Sequence, residues 1–424
     1  MQIIGADFVV LCDAEFRVLK RGGICFESDE IIAIDSYTSL RQQYPNIPSL
    51  YYESCAITPA LANLHLHLEF SQNEGILHFG DFGKWLDSVI VNRETLMQEK
   101  LMGVNLKTAM QQGITECLQS GVGFVGAVSS YGYDLEVLAN SPLRVLYFNE
   151  IIGSKVEVLD ILFQNFLARL RDSQSMQNER FIPAVAIHSP YSVHSKLLEK
   201  TLQIAQKENL PLSVHFLESQ AEKEWLETSS GYFQEFYQKF FGSNPKSFYD
   251  VQGFLEFFKD IKNTYFVHCL EADSQVLRKI ATMEGKIITC PKSNRLLNSK
   301  LLNLNALQEC RIPFCLGTDG KSSNNSLSLL DELRIALFAY SSMPLEYLAR
   351  ELLLSVTRNA FLNTAWKLGE LKVGNLADFA VFKIPKTEEF LAQNLILYVR
   401  EAFALYIKGR EVLENLQERE ECKN

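Results

Sequence analysis

The stretch Thr58-Pro-Ala-Leu-Ala-Asn-Leu-His65-Leu-His67 places two imidazoles two residues apart, directly after a run of mostly apolar residues. On a β-strand, residues i and i+2 point to the same side, so His65 and His67 can converge on one metal ion. A pair of this kind is a weak signal by itself. It becomes a strong one here, because residues of ligand type recur at the ends of later apolar runs. These residues are His215, His268 and Asp319.

Short β-rich runs alternate with longer helical patterns through the middle of the chain. The predicted strands cover residues 61–67, 124–129, 144–148, 182–187, 212–216, 265–268, 286–289 and 312–317. Eight successive strand–helix units predict an α/β fold of the (β/α)8 TIM-type barrel class. The segment between His215 and Tyr265 is long and rich in Phe and Tyr, so we expect extra helices in that connection.

The two flanks of the chain have a different pattern, in which short β runs alternate with turns. The pattern covers residues 3–35 and returns over 377–412. We therefore expect one small β-sandwich domain, formed by both termini and interrupted by the barrel. The predicted division is 1–56 for the first part of the sandwich, 57–365 for the metal-dependent barrel, and 366–424 for the second part and a C-terminal tail.

The composition indicates an ordinary globular protein with an excess of negative charge. Hydrophobic residues make up 47%, charged residues 22%, and the formal net charge is -10. Because such a surface repels phosphate backbones and anionic lipid, we expect a small-molecule substrate and neither nucleic acid nor membrane as a partner. The chain has no basic leader and no apolar run of about 20 residues. Its scattered cysteines form no CxxC pair, so we expect a cytoplasmic location.

One glycine motif suggests a different function. Gly121-Val-Gly123-Phe-Val-Gly126 matches G-x-G-x-x-G, the dinucleotide-binding pattern. That pattern has to follow a strand and begin a helix, because the helix N-terminus holds the pyrophosphate. Here the glycines follow a predicted helix over 111–120 and lead into a strand. We therefore expect no nicotinamide cofactor.

The candidate ligands share one position, at or near the carboxyl end of a predicted barrel strand. His65 and His67 end the first strand, His215 the fifth, His268 the sixth and Asp319 the eighth. Active sites of such barrels lie at this face, where the strand ends converge. Three imidazoles and a carboxylate suit a divalent ion of borderline softness, Zn²⁺ or Fe²⁺. An open coordination position would hold a water molecule with a pKa of about 7.

Glu218 comes three residues after His215, in His-Phe-Leu-Glu. Strand alternation would point it away from the side of His215, so we expect it in the loop after the strand. There a carboxylate could reach both water and substrate, and its pKa could rise in a partly dry pocket. The alternative is a solvated glutamate at a helix N-terminus. His194, beyond the fourth strand, is expected to have a structural role only.

Together these features resemble the amidohydrolase superfamily, and within it the cytosine-deaminase-like or chlorohydrolase branch that deaminates aminopurines and triazines. The resemblance covers essentially the whole chain. The motifs that carry it are Thr58-Pro-Ala, His65-Leu-His67, His215-Phe-Leu-Glu218, Val267-His268, Cys290-Pro-Lys-Ser-Asn294, Gly317-Thr-Asp319-Gly-Lys-Ser-Ser-Asn-Asn325 and the turn over 369–378. The implied reaction is hydrolytic deamination, in which water adds to an amidine carbon of an aromatic ring and ammonia leaves.

The resemblance also implies residue roles. The implied metal ligands are His65, His67, His215 and Asp319. Glu218 would carry a proton from the water to a ring nitrogen, His268 would hydrogen-bond the water or the substrate, and Asp319 would also accept a proton. Relatives with two metals have a carboxylated lysine after the fourth strand. This chain has Ala186-Ile-His188-Ser-Pro-Tyr191 there, so the resemblance implies a single ion.

The sequence says less about the substrate, because specificity is expected in the loops that follow the strands. The candidate substrate-binding residues are His188, Glu74, His78, Trp85, Glu150 and Arg295. His188 resembles the histidine that contacts substrate in nucleoside deaminases. In related thioadenosine deaminases a glutamate before the Phe-x-x-Trp-Leu stretch binds the ribose, and His78 aligns near that position. Possible partners for a substrate carboxylate are Lys84, Arg93, Lys292 and Arg295.

The chain most resembles the aminodeoxyfutalosine deaminases of menaquinone biosynthesis, whose substrate joins adenine and ribose to a carboxyphenyl ketone. The favoured function is therefore deamination of 6-amino-6-deoxyfutalosine. Alternatives on the same site are an adenosine, S-adenosylhomocysteine, methylthioadenosine or guanine deaminase, or a chlorohydrolase. A catalytically silent scaffold is a third hypothesis, which the intact ligands and Glu218 disfavour. Many relatives pair through barrel helices, so a homodimer stays open.

Overall fold

The computed structural model describes residues 1–73, 75–96, 100–101, 104–385 and 389–413. The strands are β1 Gln2–Val10, β2 Val18–Glu27, β3 Glu30–Ser36, β4 Ser49–Pro59, β5 Leu61–Leu66, β6 Lys100–Leu101, β7 Val104–Asn105, β8 Val122–Ser129, β9 Arg144–Ile151, β10 Phe181–Ile187, β11 Leu212–Phe216, β12 Thr264–His268, β13 Lys286–Thr289, β14 Phe314–Leu316, β15 Phe379–Lys383, β16 Ala404–Ile407 and β17 Arg410–Glu411.

The helices are α1 Tyr37–Gln43, α2 Phe82–Val91, α3 Arg93–Leu96, α4 Leu106–Gln119, α5 Leu135–Ala139, α6 Leu159–Ser175, α7 Ser195–Glu208, α8 Gln220–Thr228, α9 Tyr232–Phe241, α10 Val251–Glu256, α11 Ser274–Thr282, α12 Pro291–Asn298, α13 Leu304–Glu309, α14 Leu329–Ala339, α15 Leu345–Ser355, α16 Arg358–Phe361 and α17 Leu391–Tyr398. Short 3₁₀ turns cover Leu68–Phe70 and Val156–Val158.

In the described part of the chain, eight parallel strands pair in the order β5-β8-β9-β10-β11-β12-β13-β14. The two outermost strands meet through the Asn63 side chain, which donates to Thr318 Oγ1 at 2.7 Å and accepts from the Thr318 N–H at 3.1 Å. The Asp319 N–H also donates to the His65 carbonyl at 3.0 Å. These contacts close the sheet, and the predicted (β/α)8 barrel is confirmed.

The barrel strands are buried on both faces, which explains their nearly continuous apolar sequences. Every residue of β8, β9, β12 and β13 is buried. Phe148 lies two residues before Glu150, and Ala186 lies two residues before His188, so each pair shares the inward face. Phe148 and Ala186 belong to one apolar cluster inside the barrel. Apolar side chains therefore fill the barrel beneath a polar layer at its carboxyl end.

Both termini form a second sheet, whose described strands pair in the order β17-β16-β15-β4-β1-β2-β3. Strands β1 and β4 are parallel, and the other pairs are antiparallel. The ring of Phe26 on β2 packs edge-on against the rings of Phe379 and Tyr406, with ring centroids 5.7 and 6.4 Å apart. Both partners lie several strands away in the order of the sheet. The sheet therefore curls over its own apolar core and forms one small β domain, as predicted. Strand β4 continues to Pro59, and the division at 56/57 and 365/366 stays a prediction.

A buried ion pair joins the barrel to the β domain. Arg144, at the start of β9, is 2% exposed. Its Nε and Nη2 donate to the two carboxylate oxygens of Asp378 at 2.5 and 3.1 Å. The backbone N–H of Lys408 also donates to Asp378, at 2.9 Å. The carboxylate thus holds the terminal sheet against the amino end of the barrel.

Two smaller predictions about the secondary structure are confirmed. Helices α8, α9 and α10 lie in the long connection between β11 and β12. Gly121 follows helix α4 and leads into β8, so the G-x-G-x-x-G match does not begin a helix. His194 caps helix α7, where its Nδ1 accepts from the Lys196 N–H at 3.1 Å. Among the described residues, no helix combines the length and apolarity needed to cross a membrane.

Candidate metal centre and active site

Three histidine side chains meet at the carboxyl end of the barrel. The Nε2 atom of His215 lies 3.2 Å from Nε2 of His67 and 3.3 Å from Nε2 of His65. Asp319 Oδ1 lies 3.7 Å from Nε2 of both His65 and His67. Donor atoms bound at 2.0–2.1 Å around a tetrahedral Zn²⁺ would be about 3.3–3.4 Å apart. The spacing of these donor atoms therefore fits a single ion between them.

The protonation states of the imidazoles also fit a metal. Burial lowers the pKa of His67 to about 3, and the neighbouring His65 contributes to the shift. Burial likewise holds the pKa of His215 well below its usual value. The Nδ1 of His215 lies 2.7 Å from the carbonyl oxygen of His188, to which it donates. This contact leaves the Nε2 lone pair directed at the centre, as metal-binding histidines require.

Asp319 is fixed by contacts to both of its carboxylate oxygens. Its Oδ2 accepts from Ser293 Oγ at 2.7 Å and from Ser323 Oγ at 2.8 Å, and the Gly320 N–H donates to Oδ1 at 2.8 Å. Burial alone would raise the pKa of Asp319, but its contact with His65 and the nearby imidazoles hold that pKa well below its usual value. An ionised carboxylate beside the neutral imidazoles of His67 and His215 suits a divalent cation.

Glu218 lies beside this cluster, in the loop that follows β11. Its Oε1 is 3.4 Å from Nε2 of His268. Burial raises the pKa of Glu218 well above its usual value, and the charge of Asp319 raises it further. Asn294 Nδ2 donates to Thr289 Oγ1 at 3.0 Å, so its amide oxygen, 2.8 Å from His268 Nδ1, accepts a hydrogen bond from the N–H of that ring. Glu218 can therefore carry a proton at neutral pH next to an oriented imidazole.

A second polar group faces the histidines from β9 and β10. Donor atoms of Glu150, His188 and His215 lie within 4.8 Å of one another. Glu150 Oε2 accepts from Ser130 Oγ at 2.5 Å, whereas its buried Oε1 has no hydrogen-bond partner among the described residues. Burial raises the pKa of Glu150 to about 7. An unpaired buried acceptor next to the centre is suited to a donor group of a ligand.

The other predicted substrate-binding residues lie further out. The Trp85 Nε1–H donates to the Ser322 carbonyl at 2.8 Å. This bond fixes α2 over the loop after β14. The side chain of His78 is exposed, and Arg295 is exposed and donates along its own helix to Ser299 Oγ at 3.0 Å. Glu74 lies outside the described residues.

Three buried glutamates that were not predicted from the sequence accept hydrogen bonds from the loops at the carboxyl ends of the barrel strands. Glu69 accepts backbone N–H groups from the loop after β8, including Ser130 at 2.7 Å and Tyr133 at 2.7 Å. Glu332 accepts the Lys292 N–H at 2.7 Å. Glu222 accepts two N–H groups from the loop that carries Glu218. Of the three, Glu222 has a recognisable sequence signal, the capping-box pattern Ser-x-x-Glu.

A parallel barrel with convergent histidines and a carboxylate at its carboxyl end is the arrangement of barrel metallohydrolases. The profile of the amidohydrolase family matches residues 56–412. The chain belongs to this family.

Two curated relatives span nearly the whole chain. The aminodeoxyfutalosine deaminase of a Nitratiruptor species is 38% identical over 397 residues, which cover 93% of this chain and 96% of that protein. The adenosine deaminase of Helicobacter pylori is 36% identical over 418 residues, which cover 97% of this chain and 100% of that protein. Both relatives are named as deaminases.

Solved structures agree with these similarities. Helicobacter pylori aminofutalosine deaminase in complex with methylthio-coformycin superimposes with a TM-score of 0.92 at 36% identity, covering 97% of this chain and 100% of that one. Atrazine chlorohydrolase from Arthrobacter aurescens TC1, complexed with zinc, gives a TM-score of 0.77 at 19% identity, covering 100% and 98%. The second likeness shows a shared fold.

Proposed function

We propose that this protein is a hydrolytic deaminase of a 6-aminopurine nucleoside, with 6-amino-6-deoxyfutalosine as the favoured substrate. The observation that carries the proposal is the convergence of His65, His67, His215 and Asp319 beside the buried carboxyl group of Glu218. The 38% identity to an aminodeoxyfutalosine deaminase supports the choice of substrate. Adenosine is the second candidate, supported by the relative named adenosine deaminase.

We infer one divalent ion per chain, Zn²⁺ or Fe²⁺, held by His65, His67, His215 and Asp319. The support is the spacing of the donor atoms and the neutrality of His67 and His215. When bound, such an ion supplies Lewis acidity, which makes a water molecule acidic near neutral pH and stabilises developing negative charge.

The chain's own residues would move the protons. Glu218 accepts a proton from the attacking water and delivers it to the purine ring nitrogen, so that the water oxygen bonds to carbon C6. Asp319 takes the remaining proton of the attacking water and passes it to the amino group, so that the C6–N bond breaks, ammonia leaves and a carbonyl group remains at C6. His268 hydrogen-bonds the oxygen at C6, and its contact with Asn294 at 2.8 Å keeps the ring in place.

The unpaired oxygen of Glu150 would accept a hydrogen bond from the nucleoside. This oxygen is buried and has no partner among the residues described, and a carboxylate oxygen of Glu150 lies within 4.8 Å of a ring nitrogen of His188. A hydroxyl or ring N–H of the substrate would satisfy it, because a buried acceptor without a donor costs free energy. We therefore place the nucleoside between the proposed metal ligands on one side and the side chains of Glu150 and His188 on the other.

The carboxyphenyl end of the substrate would lie on the loop after β8. Tyr131 and Tyr133 of this loop are stacked, with ring centroids 5.7 Å apart and planes inclined by 11°. The guanidinium carbon of Arg93 lies 6.0 Å from the centre of the Tyr131 ring. Flat aromatic faces and a guanidinium suit an aryl carboxylate. We choose Arg93 over Arg295 for this role, since Arg295 donates to Ser299 Oγ.

Ammonia release across a panel of substrates tests this proposal. The panel contains 6-amino-6-deoxyfutalosine, adenosine, S-adenosylhomocysteine, methylthioadenosine and guanine, with chloride release from atrazine measured in parallel. We expect the highest kcat/KM for 6-amino-6-deoxyfutalosine. Chloride release without ammonia release would contradict the proposal. No turnover of any compound by metal-loaded protein would favour a silent scaffold.

We also propose a cytoplasmic location and small molecules as the main partners. The described cysteines are unpaired, as expected in a reducing compartment, and the net charge of -10 opposes binding to nucleic acid and anionic lipid. A homodimer through barrel helices stays part of the proposal, supported by the exposed Phe338 and Ile335 on α14. Light scattering on the purified protein measures the oligomeric state.

A further inference from the structure

Glu222 is a fully buried glutamate in the first turn of α8, with 0% of its surface exposed. Its Oε1 accepts the backbone N–H of Leu217 at 2.9 Å, and its Oε2 accepts the backbone N–H of Glu218 at 3.0 Å. Its own N–H donates to Ser219 Oγ at 3.1 Å. The carboxylate of Glu222 is therefore bound to the two residues that place the Glu218 side chain.

The chain needs this support because it turns sharply at this point. Leu217 has φ of +49°, in the left-handed region that residues other than glycine rarely adopt. With continued strand alternation, Glu218 would point away from the face on which His215 lies. The turn at Leu217 directs the Glu218 carboxyl group toward His268 instead, where the two side chains are 3.4 Å apart. Strained residues of this kind persist where the surrounding structure fixes them.

We infer that Glu222 is a positioning residue, which holds the turn at Leu217 and thereby directs the Glu218 carboxyl group at the reacting atoms. The inference rests on the proposed function, because it assumes that Glu218 is the proton carrier. In a purely structural role, Glu222 would stabilise the start of α8 and nothing more.

Ser219 provides a matched control for that structural role. Its side chain caps the same helix by accepting the Glu222 N–H, and it makes no bond to the N–H groups of Leu217 or Glu218. Ser219→Ala therefore weakens the start of α8 but leaves the two carboxylate contacts in place. We expect it to lower the melting temperature and to keep kcat close to the wild-type value.

Glu222→Gln keeps the size of the side chain but turns an amide NH₂ toward one of the two backbone N–H groups. We expect kcat in the zinc-loaded full chain to fall by about 10- to 100-fold, the effect of a misplacement of about 1 Å. KM and zinc content should stay close to wild type, since the proposed metal ligands and the side chains of Glu150 and His188 are unaffected. A kcat close to wild type, or an equal loss in Ser219→Ala, would overturn the inference.

A double-mutant cycle measures whether Glu222 acts through Glu218. The affinity for coformycin, a tetrahedral analogue of the hydrated purine, is measured by calorimetry in the wild type, Glu218→Gln, Glu222→Gln and the double variant. We expect Glu222→Gln to weaken binding by about tenfold or more in the wild-type background and to have almost no effect once Glu218 is replaced. Independent losses that multiply in the double variant would overturn the inference.

Two further results separate the possible failures. If Glu222→Gln does not fold, Glu222→Asp keeps the carboxylate one methylene short, and we expect it to show the same coupling with a smaller loss. If the wild type neither binds coformycin nor releases ammonia, the proposed function fails and the inference fails with it. If the wild type does both and the Glu222 variants match it, only the inference fails.

Discussion

Replacing Glu218 by Gln removes the proposed proton carrier and changes little else in the site. Glu218 is 6% exposed, and Gln has nearly the same size and shape. His65, His67, His215 and Asp319, the proposed metal ligands, keep their contacts. We therefore expect a folded protein with the zinc content of the wild type and a large loss of turnover.

The size of the loss follows from the position of Glu218. Its carboxyl oxygen lies 3.4 Å from His268, and burial raises its pKa well above the usual value, so it can both hold and release a proton. A general acid–base group in such a position contributes about 10²- to 10⁴-fold, which is about 3–5 kcal/mol of transition-state stabilisation. Because a buried carboxyl group is replaced by a neutral amide, the melting temperature should not fall.

The assay follows the absorbance change on deamination of 6-amino-6-deoxyfutalosine under saturating substrate, with ammonia measured independently. Metal content is determined on the same samples. We expect kcat to fall by at least about 100-fold with unchanged metal content. A variant that keeps more than about a tenth of wild-type kcat would remove Glu218 from the mechanism, since no other described carboxyl group lies beside His268 at this distance.

Three further changes test the metal centre, the domain contact and a buried lysine. His215→Ala should weaken zinc affinity by more than about 100-fold in a competition titration with a chromophoric chelator, and unchanged affinity would exclude it as a ligand. Asp378→Ala leaves the buried guanidinium of Arg144 without its partner and should lower the free energy of unfolding in urea by about 3–5 kcal/mol. A loss below about 1 kcal/mol would mean that the pair is not buried in solution. Burial lowers the pKa of Lys286 from 10.5 to about 8. Between these two pH values, the Lys286 side chain therefore holds its proton more tightly in the unfolded chain than in the folded protein. The free energy of unfolding of the wild type should then rise with pH, by up to about 3 kcal/mol across this window. Lys286→Met should lack this rise, and parallel stability curves of the two proteins would contradict the reasoning.

The sequence was sufficient to predict the barrel and the convergence of the ligands. Strands buried on both faces give short apolar runs that are easily recognised, and a parallel barrel brings all their carboxyl ends to one rim. His215 and Asp319 are therefore predictable as neighbours although they are far apart along the chain. Glu218 was predictable as a loop residue because alternation along β11 excludes it from the face of His215.

The conformations and contacts of the loops could not be predicted from the sequence. Arg295 follows a barrel strand and so lies at the expected end, but helix α12 begins at Pro291 and its turns carry Arg295 to the solvent. Glu69 and Glu332 bind backbone N–H groups of loops, and such contacts depend on backbone conformation, to which hydrophobic periodicity is insensitive. The roles of Glu69 and Glu332 thus became evident only from the folded structure.

The most direct measurement of the central claim is an anomalous difference map from crystals of the protein grown with zinc, collected on both sides of the zinc absorption edge. We predict a single strong peak per chain. It should be enclosed by the Nε2 atoms of His65, His67 and His215 and by a carboxylate oxygen of Asp319. Absence of a peak at that position in active crystals, or a peak held by other residues, would contradict it.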